Sequence, residues 1–281
     1  MTTPEQVEIP PPSPDDVLYE RRGAIGWVTL NRPVVLNAVN WSIMRRLMVA
    51  LERAEADEDA LAIILHGAGR AFCAGGDVTG GRPDDDDPIP DSTSIALKIW
   101  SMPKPFVAAV HGYAVGQGYE FAGVCDLTVA AADAKFGEIQ IRHGFGLPIL
   151  ITPFLLGLKK AKETVLLGEM IDAQEAHRLG IVNRLVPPER LLDEAEAIAT
   201  RLASLPQKVI RMNKLLVNRA YELAGFREAL LYRDDPALAA GLAAGAMADR
   251  ENPHLQVLRS QGWEAFKRSR DAMYRSEEGP S

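Results

Sequence analysis

The chain has 281 residues, 47 % of them hydrophobic and 25 % charged, and a net charge of −7. That length suits one large domain, or one domain with an appendage, and buries a sizeable core. The acidic balance argues against a nucleic-acid surface, no apolar run reaches the roughly 18 residues of a membrane span, and the two cysteines, Cys73 and Cys125, are too few to staple a fold and point to a reducing, cytoplasmic compartment.

Residues 1–16 are rich in proline and polar side chains and read as a disordered tail, not a signal peptide. Residues 25–31 (IGWVTLN) read as a strand. Residues 41–56 carry a helical period, with Ile43, Met44, Leu47, Ala50, Leu51 and Ala54 on one stripe. Residues 61–65 (LAIIL) and 106–110 (FVAAV) read as buried strands on either side of a helix at 92–100. Between them, residues 80–91 (GGRPDDDDPIPD) form a solvated loop or the wall of a pocket. A further strand is expected at 124–131. Beyond residue 161 the pattern turns helical, at 162–167, 173–179, 189–205 and 207–223, with a strand-like break at 183–186 and an alanine-rich helix at 237–248. Strand–helix units followed by helices predict an α/β fold, a mainly parallel sheet covered by helices. The helical end needs a partner surface, from its own core or from a neighbouring subunit.

Two segments carry the chemistry. Residues 71–77 (AFCAGGD) and 111–120 (HGYAVGQGYE) each follow an apolar strand and lead into a helix. Gly112, Gly116 and Gly118 permit a tight backbone and close approach. A helix start offers unpaired N–H groups and the positive end of its dipole. Two such turns brought together grip one oxygen from two sides, the geometry of an oxyanion hole. The alternative is a glycine-rich helix start that only packs tightly. The G-x-G at Gly116 is not a dinucleotide fingerprint, because the third glycine would fall on Phe121. The five histidines form no metal-spaced cluster, so no metal site is expected.

These segments resemble those of the crotonase (enoyl-CoA hydratase/isomerase) superfamily, and the resemblance runs in order along most of the chain. Asn31-Arg32-Pro33 with Leu36-Asn37-Ala38 looks like the N-R-P…L-N-A motif of that family, residues 71–77 like its A-F-x-A-G-x-D turn, and residues 111–120 like its second glycine turn. Cys125-Asp126, Phe136-Gly137 and residues 261–266 (QGWEAF) continue the match. The resemblance implies a crotonase-like fold of repeated β-β-α units over residues 17–205, a C-terminal helical trimerisation region over 206–281, and assembly as a homotrimer or dimer of trimers. It implies an acyl-CoA substrate, with coenzyme A as part of the substrate and no separate cofactor. Carried over position by position, the oxyanion amides fall on Gly76 and Gln117, where glutamine stands in place of the usual glycine. The coenzyme A path falls on Arg32, Ala38, Ala74, Gly76, Asp77, Val78, Thr79 and Gln117, with Phe266 contributing across a subunit boundary.

The resemblance also implies two glutamates for hydration. The first is Glu120; the second position holds Gln140, whose amide has no proton to give. Glu120 is expected to be buried, which raises a carboxyl pKa toward a useful range. Glu138 and His143 stand nearby, as substitutes or in surface salt bridges. Tyr113, Tyr119, Phe145 and Leu147 are candidates for the acyl pocket. Three readings follow: a hydratase-like lyase in which Glu120 handles both protons; a one-base reaction such as isomerisation, dehydration or decarboxylation; and a non-catalytic acyl-CoA-binding subunit.

Overall fold

The computed structural model describes residues 11–77, 87–232 and 253–272. Of the expectations above, the tail at 1–10, Val78, Thr79, loop residues 80–86 and the alanine-rich 237–248 lie outside the described residues. β1 (Val17–Arg22) pairs antiparallel with β2 (Ile25–Leu30). Onto β2 are added, all in parallel, β3 (Ala62–Gly67), β4 (Phe106–Val110), β6 (Leu127–Ala131) and β9 (Arg184–Val186). Both faces of this six-stranded sheet are covered, as parallel strands require. Trp27, Ile64, Val107 and Val129 pack under α7 (Leu191–Ser204) through Leu191, Ala195 and Ala199. The alternate residues Val28, Ile63, Leu65, Ala108 and Val110 face the larger core.

That larger core is closed by α1 (Trp41–Ala56), α2 (Ser92–Ser101) and α3 (Gln117–Val124). α1 buries the expected stripe of Ile43, Met44, Leu47, Ala50, Leu51 and Ala54. Its start is fixed by Asn40, whose side chain accepts the Ile43 amide proton at 2.9 Å.

A second, smaller layer positions the site. β5 (Tyr113–Val115), β7 (Lys135–Gly137) and β8 (Ile171–Asp172) form a three-stranded sheet. Single bridges between Cys73 and Ala114, and between Val39 and Gly76, extend the same layer. The chain therefore repeats one plan: a strand of the large sheet, a short extended segment in the small layer, then a helix. β2, Val39 and α1 follow it, as do β4, β5 and α3. This is the β-β-α repeat that the sequence resemblance implied.

The trailing elements are α4 (Thr152–Leu155), α5 (Leu158–Leu167), α6 (Ala173–Leu179), α8 (Gln207–Leu223), α9 (Phe226–Leu230) and α10 (Pro253–Asp271). α8 docks through polar side chains. Lys214 Nζ donates to Asp126 Oδ2 at 2.8 Å and to the Lys104 carbonyl at 3.1 Å. Asn218 Nδ2 donates to the Trp100 carbonyl at 2.8 Å. Asp126 also accepts the Phe106 amide proton at 2.7 Å, so the Cys-Asp motif ties α8 to the foot of β4. The apolar residues of α8 point outward instead: Val209, Met212, Leu216 and Leu223 are 45, 52, 60 and 75 % exposed.

Two expectations are corrected. Residues 14–16, assigned to the disordered tail, form a 3-10 turn capped by Ser13, with Asp16 buried and its carbonyl accepting the Asn31 amide proton at 2.7 Å. The strand expected at 124–131 starts at Leu127, because Val124 completes the last turn of α3.

Candidate active site

The first glycine turn is built by Asn37. Its residue has a left-handed φ of +57°, which asparagine tolerates better than most side chains. The buried amide accepts the Arg32 N–H at 2.8 Å and donates to the carbonyls of Ala68, Ala71 and Phe72 at 2.9, 2.8 and 3.2 Å. One side chain thus clamps the segment leading into the turn. Val39 then donates to the Gly75 carbonyl at 2.7 Å and accepts from the Asp77 amide at 2.8 Å. In this bridge the Gly76 amide points away from Val39, and it makes no hydrogen bond among the described residues.

The second turn starts α3. Gly116 donates to the Gly137 carbonyl at 2.8 Å, and Glu120 is the first residue of the helix to bond back, to the Gly116 carbonyl at 3.0 Å. The amides of Gln117, Gly118 and Tyr119 are the orphan donors of that first turn. The two turns press together. A Cβ on Gly118 would stand 2.4 Å from the Cys73 carbonyl oxygen, and one on Gly75 would stand 2.8 Å from the Val115 carbonyl oxygen. Only glycine allows both approaches. The amides of Gly76 and Gln117 therefore sit on adjoining turns. The Gln117 side chain is held by Ser92 at the start of α2, 2.6 Å away, with its Oε1 beside Gly76.

Glu120 is fully buried on α3, one helical turn in from those amides. Gln140 lies over Gly116, where its Nε2 would be 3.6 Å from an added Cβ. The same Nε2 donates to Glu120 Oε1 at 3.3 Å and to Glu138 Oε2 at 2.9 Å. Glu138 is itself buried, and Thr152 Oγ1 of α4 donates to its Oε1 at 2.6 Å. Burial pushes the Glu138 carboxyl up to about 7, against the lowering effect of its bonds to Thr152 and Gln140. The Cys73 thiol, between the turns, is pushed up to about 12 by burial and stays protonated, so it is no nucleophile.

Other expected site residues land differently. Arg32 is buried, with Nη1 2.7 Å from Asp77 Oδ2 and 3.2 Å from the Ala38 carbonyl; the pair braces the first turn. The Ala74 amide donates to the Leu36 carbonyl at 2.9 Å. Phe266, expected to reach across a subunit boundary, is buried in its own chain, stacked on His143 at 5.6 Å and on Trp263 at 5.3 Å. Tyr119 is core, while Tyr113 and Phe145 are exposed. Glu138, expected as a substitute or in a surface salt bridge, is buried, and among the described residues it makes no salt bridge. Its signal was its parity with the buried Phe136, two residues earlier along an extended segment. Among the described residues no cluster of three or more His, Cys, Asp or Glu could hold a metal ion.

Comparison with known proteins agrees with this layout. The enoyl-CoA hydratase/isomerase family model matches residues 20–234. A protein of Rhizobium meliloti named a probable enoyl-CoA hydratase is 40 % identical over 215 residues, covering 74 % of this chain and 83 % of that one. The crystal structure of an enoyl-CoA hydratase/isomerase from Xanthobacter autotrophicus superposes with a TM-score of 0.80 at 32 % identity, covering 92 % of this chain and 98 % of that one. A monofunctional enoyl-CoA isomerase from M. smegmatis superposes with a TM-score of 0.61 at 29 % identity, covering 73 % and 93 %.

Proposed function

The chain belongs to the enoyl-CoA hydratase/isomerase family, and from that premise we propose that it adds water across the double bond of a 2-enoyl-CoA to give a 3-hydroxyacyl-CoA. The carrying observation is the buried Glu120 beside two adjoining turns whose amides, Gly76 and Gln117, have no protein partner among the described residues. In this reading Glu120 takes a proton from water as the water oxygen bonds to Cβ. The displaced electron pair moves through Cα to the thioester oxygen, which the two amides hold as an enolate. Glu120 then returns its proton to Cα, and the pair collapses back from the oxygen. One carboxyl group serves both steps, so no second acid is required of Gln140. The backbone of Ala38, Ala74 and Asp77 lines the coenzyme A path. The enzyme works in the cytoplasm, as a homotrimer or dimer of trimers assembled through its helical end.

Incubating the protein with crotonyl-CoA and following the loss of conjugated enoyl absorbance tests this reading. Glu120→Gln should lower kcat by about 10²–10⁴-fold, the usual contribution of a positioned acid/base, with KM little changed. Unchanged turnover would remove Glu120 from its role. Gln140, with no dissociable proton at the position of the second glutamate, favours isomerisation as the second reading. Exchange of α and γ protons in deuterium oxide, without loss of absorbance, would select it.

A further inference from the structure

An amide group has two N–H protons, and both of those on Gln140 are engaged. One goes to Glu120 Oε1 and the other to Glu138 Oε2. Unprotonated Glu138 only accepts hydrogen bonds, its other oxygen being taken by the Thr152 hydroxyl, and Glu120 as a base accepts too, so the two carboxylates fix which end of the amide faces them. The carbonyl end is left over: Gln140 Oε1 is buried and accepts no hydrogen bond from any described residue. It sits on the amide that lies against Gly116, at the meeting of the two glycine turns. Glu138 cannot reach substrate itself. It is buried, with one oxygen held by Thr152 and the other by Gln140.

We propose that Gln140 Oε1 is the acceptor for the O–H group that is added at the substrate β-carbon, and that Glu138 is the positioning residue that keeps the amide this way round. The proposal rests on the hydratase reading above and deepens it. A glutamine here substitutes for an acid by accepting one O–H of the water, which leaves the water's other O–H aimed at Glu120 and its lone pair at Cβ; in the product it accepts the 3-hydroxyl proton. No proton crosses Gln140: it accepts a hydrogen bond and nothing more. Thr152 completes the device, since its hydroxyl proton holds Glu138 from the far side. If the amide turned over, its carbonyl would face two carboxylate oxygens with no proton between them, and the reacting O–H would lose its acceptor.

Two measurements separate this proposal from the reading beneath it. The first is turnover of crotonyl-CoA in a cycle of wild type, Glu138→Gln, Gln140→Leu and the double variant. Glu138→Gln is isosteric and should lower kcat at least tenfold with KM within twofold; in the Gln140→Leu background it should change kcat less than twofold, because its partner is gone. The second is binding of 3-hydroxybutyryl-CoA against butyryl-CoA, which differ only by the hydroxyl. Wild type should prefer the hydroxyl compound about fivefold, the worth of one neutral hydrogen bond, and both single variants should lose that preference. Equal loss of kcat from Glu138→Gln with and without Gln140, or no hydroxyl preference in wild type, would overturn the proposal and leave hydration standing. Hydroxyl preference without crotonyl-CoA turnover would do the reverse. Circular dichroism and melting of each variant identify any that fail to fold, and Glu138→Asp then carries the same comparison.

Discussion

At the scale of single residues, Asn37 holds more of the site than any charged group. Four hydrogen bonds converge on one buried amide, three of them satisfying carbonyls in the run from Ala68 to Phe72. Asn37→Ala takes this donor from the buried carbonyls of Ala71 and Phe72 and the half-buried one of Ala68, and asks alanine for a left-handed φ. Each orphaned group costs about 1–3 kcal/mol, so a loss of roughly 3 kcal/mol or more is expected, seen as a lower urea midpoint. kcat should fall as well, because the Gly76 amide loses its setting. The sequence showed Asn37 only as part of a motif, since nothing in its spacing reports a side chain bonded to three distant carbonyls. Glu120 and Gln140 were legible as a pair of positions, and their burial was half expected. Glu138 was not. A glutamate next to Lys135 and Arg142 looks solvated in one dimension, and only the buried layer formed with β8 and α4 reveals otherwise.

At the scale of elements, legibility followed length and contrast. α1 and β4 could be read to the residue because each carries a full apolar pattern, a stripe in the first and an unbroken run in the second. β1 was missed because its outer half, Glu20 to Arg22, is polar, which is what an exposed edge strand requires. β5, β7 and β8 have three, three and two residues, too few to show a period, yet they form the layer that brings the two glycine turns together. The seating of α8 makes a separate prediction. Lys214 is 8 % exposed and binds Asp126, which also fixes the start of β4. Lys214→Met keeps the stem but strands a carboxylate that is only partly solvated. The expected cost is about 3 kcal/mol, the lower end for breaking a buried pair, read as a melting shift. Crotonyl-CoA turnover below the melt should be unchanged, since the hydrogen bonds of Lys214 and Asn218 go to Ile99, Trp100, Lys104 and Asp126 and to none of the site groups described above.

At the scale of the whole molecule, the fold places its chemistry where a short second layer crosses the ends of a parallel sheet, and leaves an exposed apolar helix face elsewhere. The outer side of α8 presents Val209, Met212, Leu216 and Leu223 at helical spacing, a patch of the kind that marks a protein–protein contact. If identical subunits cover it, Leu216→Glu should shift the protein from a trimer or hexamer to a monomer in sedimentation velocity; an unchanged sedimentation coefficient would place the contact on another face. Such a helix is worn inside out, with Lys214 and Asn218 turned toward its own domain and its oils toward the solvent. A chain that assembles through such a face has no fixed melting temperature of its own. If subunits meet on this face, dilution should draw them apart and bare it, so the same preparation should unfold at lower temperature the thinner it is made.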